Sequence, residues 1–323
     1  MMAWTRPCCA LAFVLWAFCP PALSAYPDKP IRWIVPFAAG GGTDVVSRML
    51  ADAMGATLRQ SMIVENKPGA GTMIGAAEVA RSATDGYTVG TVDVSTVALN
   101  PSLYASVAYD ASKDFHYLGG TARFPFVLVV NPALPAKDLP SLLALSRSQS
   151  KPLSYATPGA GGPNHLGMEL LQDMAGIKLL HVPYRGDAPA LQDLIGGQVD
   201  MYLVNTAASL PYIRAGKIRP LAVASRQRLA SLPDVPTFDE AGVAGFEAYA
   251  WQGLAAPAGT PADRAALLAD ALAKALADTT VRARLADLGV EPFTMPPAEF
   301  NEHVRRETAK WRDIIGQAGI KLE

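Results

Sequence analysis

The chain has 323 residues, 50% hydrophobic and 18% charged, with a formal net charge of −1. That length suffices for one large or two medium globular domains with substantial cores. A near-neutral balance with no Lys/Arg-rich block argues against nucleic acid as a partner.

In chain order, residues 1–25 carry one charge, Arg6, then the apolar run 10–18, then Pro20-Pro21-Ala22-Leu23-Ser24-Ala25. The pattern predicts a secretory signal peptide cut near Ser24 or Ala25. The apolar run falls well short of the ~20 residues a membrane-spanning helix needs. Cys8, Cys9 and Cys19 all lie in this segment, so the mature chain is expected to have no disulfide, thiolate nucleophile or Cys metal site. Without Arg6 the balance is 27 basic against 29 acidic residues, or −2. The expected product is exported and soluble.

The run Ile31–Val35 fits a buried strand. The loop PFAAGGGTD, Pro36–Asp44, follows it, with Thr43 or Asp44 placed to cap a helix from about Val45 to Leu58. A strand Met62–Glu65, a turn Lys67–Gly71, a helix Met73–Ala80 and a strand Tyr87–Val92 come next. This order implies a parallel sheet with helices on its faces.

The order returns about 120 residues later. Leu153–Thr157 is the strand, Pro158–Asn164 the glycine loop, and His165–Met174 the helix. Lys178–Val182, the turn Pro183–Gly186, a helix Ala188–Ile195 and a strand Val199–Val204 complete the unit. Gly42 corresponds to Gly162, Gly69 to Gly186 and Gly86 to Gly197. The chain therefore predicts two α/β lobes of one topology, joined by extended aromatic segments at Phe124–Val130 and Phe246–Leu254. The tail from Pro261 to Glu323 reads as helical and is assigned to the first lobe. The expected division is residues 26–124 plus 249–323 for lobe 1 and 125–248 for lobe 2.

A glycine loop entering a helix exposes backbone N–H groups that have no internal partner, at the positive end of the helix dipole. An anion, especially a carboxylate, is the natural occupant. A tight turn without a ligand is the alternative for one such loop, and two loops at matching places weigh against it. The first loop lacks a Gly-Lys-Ser/Thr ending, and Asn164 stands where G-x-G-x-x-G requires glycine, so nucleotide readings fail. His116, His165, His181 and His303 show no metal spacing, and no G-x-S-x-G elbow is present. No enzyme activity, metal or cofactor is expected.

The stretches Pro36–Asp44, Val64–Gly71, Asp85–Thr88, Asn100–Tyr104, Ser154–His165, Val182–Gly186 and Gly196–Asp200 resemble the Bug family. Its members are the periplasmic solute receptors of tripartite tricarboxylate transporters. The resemblance spans nearly the whole mature chain. It implies a two-lobed periplasmic-binding-protein fold of type II, with two crossover strands and a ligand carboxylate held between the loops by backbone amides and ordered water.

Carried over by position, the first anchor comprises Phe37, Ala39, Gly40, Gly41, Gly42, Thr43 and Asp44, and the second Ala156, Thr157, Gly159, Gly161, Gly162, Asn164 and His165. Asp93, Ser95, Tyr184 and Asn205 complete the candidate set. In this family the acid of the first loop either meets a ligand ammonium or caps the helix, and the cap is favoured for Asp44. Gly162 and Pro163 depart from the family by omitting a hydroxyl donor. Asp93 departs by adding an acid. If it faces the cleft, it implies an amphoteric or hydroxylated ligand; the alternative is that it bonds nearby backbone or faces solvent.

The expected role is capture of a small organic carboxylate in the periplasm and delivery to transporter membrane subunits by a monomer. Two rivals remain at this point: a ligand-sensing partner of a sensor kinase's outer domain, and an exported enzyme on the same fold.

Overall fold

The computed structural model describes residues 26–318 and 320–322. The signal-peptide expectation falls on residues 1–25, outside them. The β-branched and aromatic run Ile31–Val35 is strand β1, buried at four of its five positions, as a strand covered on both faces must be. Helix α1 (Gly42–Leu58) presents Val46, Leu50, Met54 and Leu58, each four residues apart, to the sheet. It begins three residues before the expected start. Gly41, in extended backbone, is its N-cap, and neither Thr43 nor Asp44 caps it. Glycine serves almost as well there as a side-chain cap, which leaves the Asp44 carboxylate for other partners.

Next along the chain are β2 (Met62–Asn66), α2 (Met73–Ala80) and β3 (Thr88–Asp93). A π-helical turn, Ser95–Leu99, then leads into α3 (Asn100–Leu103). β4 (Phe115–Val130) runs for 16 residues. Beyond it lie α4 (Leu139–Ser148), β5 (Ser154–Thr157), α5 (Pro163–Ala175), β6 (Leu180–Pro183), α6 (Asp187–Ile195), β7 (Met201–Asn205), α7 (Thr206–Arg214) and β8 (Arg219–Val223). β9 (Tyr249–Pro257), α8 (Ala262–Ala277), α9 (Thr279–Asp287), β10 (Glu291–Pro292) and α10 (Pro297–Ala318) complete the chain. Helix α5 also starts earlier than expected, with Gly162 as N-cap and Pro163 in the first turn, where its missing N–H costs nothing.

One mixed sheet connects everything, in the order β2-β1-β3-β9-β4-β7-β5-β6, with β8 and β10 also paired to β4. β1, β2 and β3 are parallel to one another, as are β5, β6 and β7. β4 pairs antiparallel with β9 over Phe115–Pro125 and with β7 over Phe126–Val130. These pairings set strand direction: β3 ends at Asp93, opposite Gln252, which lies opposite Ala122; β7 ends at Asn205, opposite Phe126. The carboxyl ends of the two parallel sets therefore point at each other, four residues apart along β4, or ~13 Å. Ligands of open α/β sheets bind at such ends.

The C-terminal helices cover the β1–β3 side. Leu268, Leu272 and Leu276 of α8 share a core with Ile31, Trp33 and α1, while Phe300, Val304 and Trp311 of α10 share one with Ile34, Val92 and Trp251. On the other side, β5–β8 pack against α4 and α5 on one face and α6 and α7 on the other. Among the described residues no helix is long and apolar enough to cross a membrane.

Candidate functional site

Three helices begin where the strand ends face each other. In α1 the first helical bond is Val45 N–H to Gly41 O, so the N–H groups of Gly42, Thr43 and Asp44 have no carbonyl within the helix. In α5 the first is Leu166 N–H to Gly162 O, leaving those of Asn164 and His165. In α7 the Asn205 side chain takes the Ala208 N–H at 2.9 Å, leaving those of Thr206 and Ala207. The starts of α1 and α7 meet: a methyl group on Gly42 would lie 3.8 Å from Ala207 Cβ and 3.4 Å from the Phe124 ring.

The side chains of these loops are largely committed to one another. Asp44, 3% exposed, accepts the Gly40 N–H at 2.8 Å, the Asn66 amide at 2.9 Å and the Arg48 guanidinium at 3.0–3.1 Å. Burial pushes its carboxyl up, but the bonds from Arg48, Gly40 and Asn66 outweigh that and hold it below the usual carboxylate range. Asn66 also donates to Phe37 O at 3.0 Å, tying β2 to the loop. Gly40 turns the chain at φ +80°, a conformation suited to glycine. Ala39, Gly40, Gly41 and Gly42 are exposed, and Phe37 and Thr43 half-buried.

Asp93 is buried and accepts the N–H and hydroxyl of Thr96, with Ser95 also hydrogen-bonded to it. Desolvation raises its pKa against those bonds. Its carboxylate thus organises the turn after β3, in line with the nearby-backbone alternative.

In the second loop, Ala156 and Thr157 end β5, and the Thr157 hydroxyl lies 3.0 Å from Gly159 O and 2.7 Å from His181 Nε2. Asn164 donates to Leu203 O at 2.8 Å. His165 Nδ1 accepts the Gly161 N–H at 3.1 Å, and its Nε2 lies 3.7 Å from Glu169. Gly159 and Gly162 face open space. Tyr184 turns to Asp193 at 2.8 Å, so its hydroxyl serves α6. The structure therefore gathers the two glycine loops, Ser95 and Asn205 around facing strand ends, and what they offer is chiefly backbone N–H groups.

Thr206, Ala207 and Asp187 were not anticipated. Asp187, in the first turn of α6, accepts from the Tyr202 hydroxyl and from Asn205 Nδ2 at 3.2 Å, and burial raises its pKa. The signal for α7 was available in Asn205-Thr206, a capping residue directly after an apolar strand. Pro211 inside that helix disguises it.

His181 stacks on His165 with centroids 4.0 Å apart and on Tyr155 at 5.0 Å. Burial, then the neighbouring His165, push its pKa down from 6.5 to about 4. The unfolded chain takes up this proton near pH 6.5 and the folded chain only near 4, so the stabilisation is complete above pH 6.5 and is lost as pH falls through that window. Discounted for partial exposure, the loss is about 1–2 kcal/mol. Urea unfolding from pH 7 to 4 should show it, and His181→Gln should flatten the slope.

Among the described residues no cluster of three His, Cys, Asp or Glu could hold a metal ion. The model of the "Tripartite tricarboxylate transporter family receptor" matches residues 46–320. The chain belongs to this receptor family. The receptor is 35% identical to BugT of Bordetella pertussis over 305 residues, 94% of each chain. Its fold matches an adipate-bound protein of R. palustris at TM-score 0.85 and 34% identity, covering 92% of this chain and 99% of that one. It also matches MatC of Rhodopseudomonas palustris with bound malate, at TM-score 0.80 and 35% identity, covering 90% and 100%. The two-lobed periplasmic-binding-protein architecture expected for a Bug-type receptor is thus the receptor's fold.

Proposed function

We propose that this receptor works in the periplasm, where it captures a small organic carboxylate between the starts of α1, α5 and α7 and delivers it to a tripartite tricarboxylate-type membrane transporter. The observation that carries the reading is the convergence of unpaired helix N-terminal amides from both sides of β4, with Gly42 against Ala207. Such amides are oriented donors at the positive ends of helix dipoles, and a carboxylate satisfies several at once. Contact with both sides is what favours the closed arrangement over the open one, since only differential contact shifts such an equilibrium. The relatives with malate and adipate support the ligand class.

The ligand is a carboxylate without an ammonium group. Asp44 already neutralises Arg48 and Asp93 is held by Thr96, so neither acid is left to meet a cation. A thermal-shift screen of residues 26–323 should show stabilisation by malate or adipate exceeding that by aspartate or glutamate. At 100 times Kd the gain is about 2.7 kcal/mol. Stabilisation by amino acids alone, or by no carboxylate, would refute the reading.

A further inference from the structure

We infer that Leu322, together with Leu103, is a positioning residue for the second glycine loop, reaching it from the opposite side of the cleft. Gly161 is buried in that loop at φ +76°. A methyl group on it would lie 2.5 Å from Leu322 Cδ1 and 3.0 Å from Leu103 Cδ1. A side chain there would have to displace both leucines, which rest directly on the loop backbone. Leu322 is itself pinned: its N–H donates to Leu103 O at 2.9 Å, and it bridges Tyr104 in parallel register.

Leu103 is buried in the core under α3 and α10, with Leu322 packed against it, and Leu166 of α5 joins that same core, while Gly161 sits between β5 and α5. Gly161 N–H in turn holds His165 Nδ1, a residue of the first turn of α5. Leu322 therefore sets the path of the segment that aims the Asn164 and His165 amides, and its contact holds the two sides together there. Leu322 thus acts in ligand retention without touching ligand.

The inference rests on the carboxylate reading for its effect on affinity, and the test separates the two. In ligand-free protein, Leu322→Ala should speed amide hydrogen exchange in residues 158–168 at least fivefold while leaving β1 and β4 unchanged. In calorimetric titration with malate, its Kd should rise about tenfold, mainly through faster release. Leu322→Met should return both readouts to within about twofold of the starting protein. Unchanged exchange in 158–168, or a uniform rise across the chain, would overturn the inference, the second by showing a merely structural role. If Leu322→Ala does not fold, Leu322→Val is read by the same criteria. If the unaltered receptor binds neither malate nor adipate, the carboxylate reading fails, and exchange still decides the role of Leu322.

Discussion

Asp44→Ala lowers the unfolding free energy by about 3 kcal/mol and weakens carboxylate binding about a hundredfold. The carboxylate is buried and holds three groups at once: the Gly40 N–H, the Asn66 amide and the Arg48 guanidinium. Removing it leaves the Gly40 N–H and the Asn66 amide without their acceptor, while Arg48, half exposed and still bonded to Asn66 Oδ1, turns to water; unmet donors cost more than the bonds themselves contribute. Binding suffers separately, because the Gly40 bond fixes the turn that aims the Gly42 and Thr43 amides. Asp44→Asn keeps the shape and one acceptor, so a smaller loss of about 1–2 kcal/mol is expected. Urea titration and calorimetry with malate measure both. Equal stability in Asp44→Ala would show that the network contributes nothing.

Gly253→Ala destabilises by about 3–4 kcal/mol and reduces the folded yield. Gly253 lies in β9 between Val92 of β3 and Gly120 of β4, and an added methyl would sit 2.1 Å from the Phe300 ring and 2.7 Å from Gly119 O. Phe300, fully buried, packs through that gap to fasten α10 to the sheet. Phe300→Leu in the same background should recover part of the loss, because the ring clash disappears and the backbone clash stays. Thermal unfolding of the three variants checks the order.

Much of this architecture was legible because both glycine loops follow apolar strands at matched intervals, so the repeat announced two parallel sets of strands. Both helices start a few residues earlier than their sequences suggest, because Gly41 and Gly162 stand at the N-caps with no side-chain cap and leave no hydroxyl or carboxylate signal. The fate of Asp44 and Asp93 was not legible. Each is decided by partners that only the fold delivers, Asn66 from 22 residues away for one and the tightness of a π-helical turn for the other. The approach of Leu322 to Gly161 spans 161 residues of chain and leaves no local pattern at all.

The long strand Phe115–Val130 carries hydrogen bonds for both sides of the molecule, changing its principal partner from β9 to β7 at Pro125–Phe126. Pro125 has no N–H to lose, so bending there breaks no N–H ladder bond at that residue. The same continuity makes the two sides share one fate in denaturation. If either side melts, the other loses the support of its central strand, so urea should meet a single cooperative transition where a pair of beads on a linker would give two.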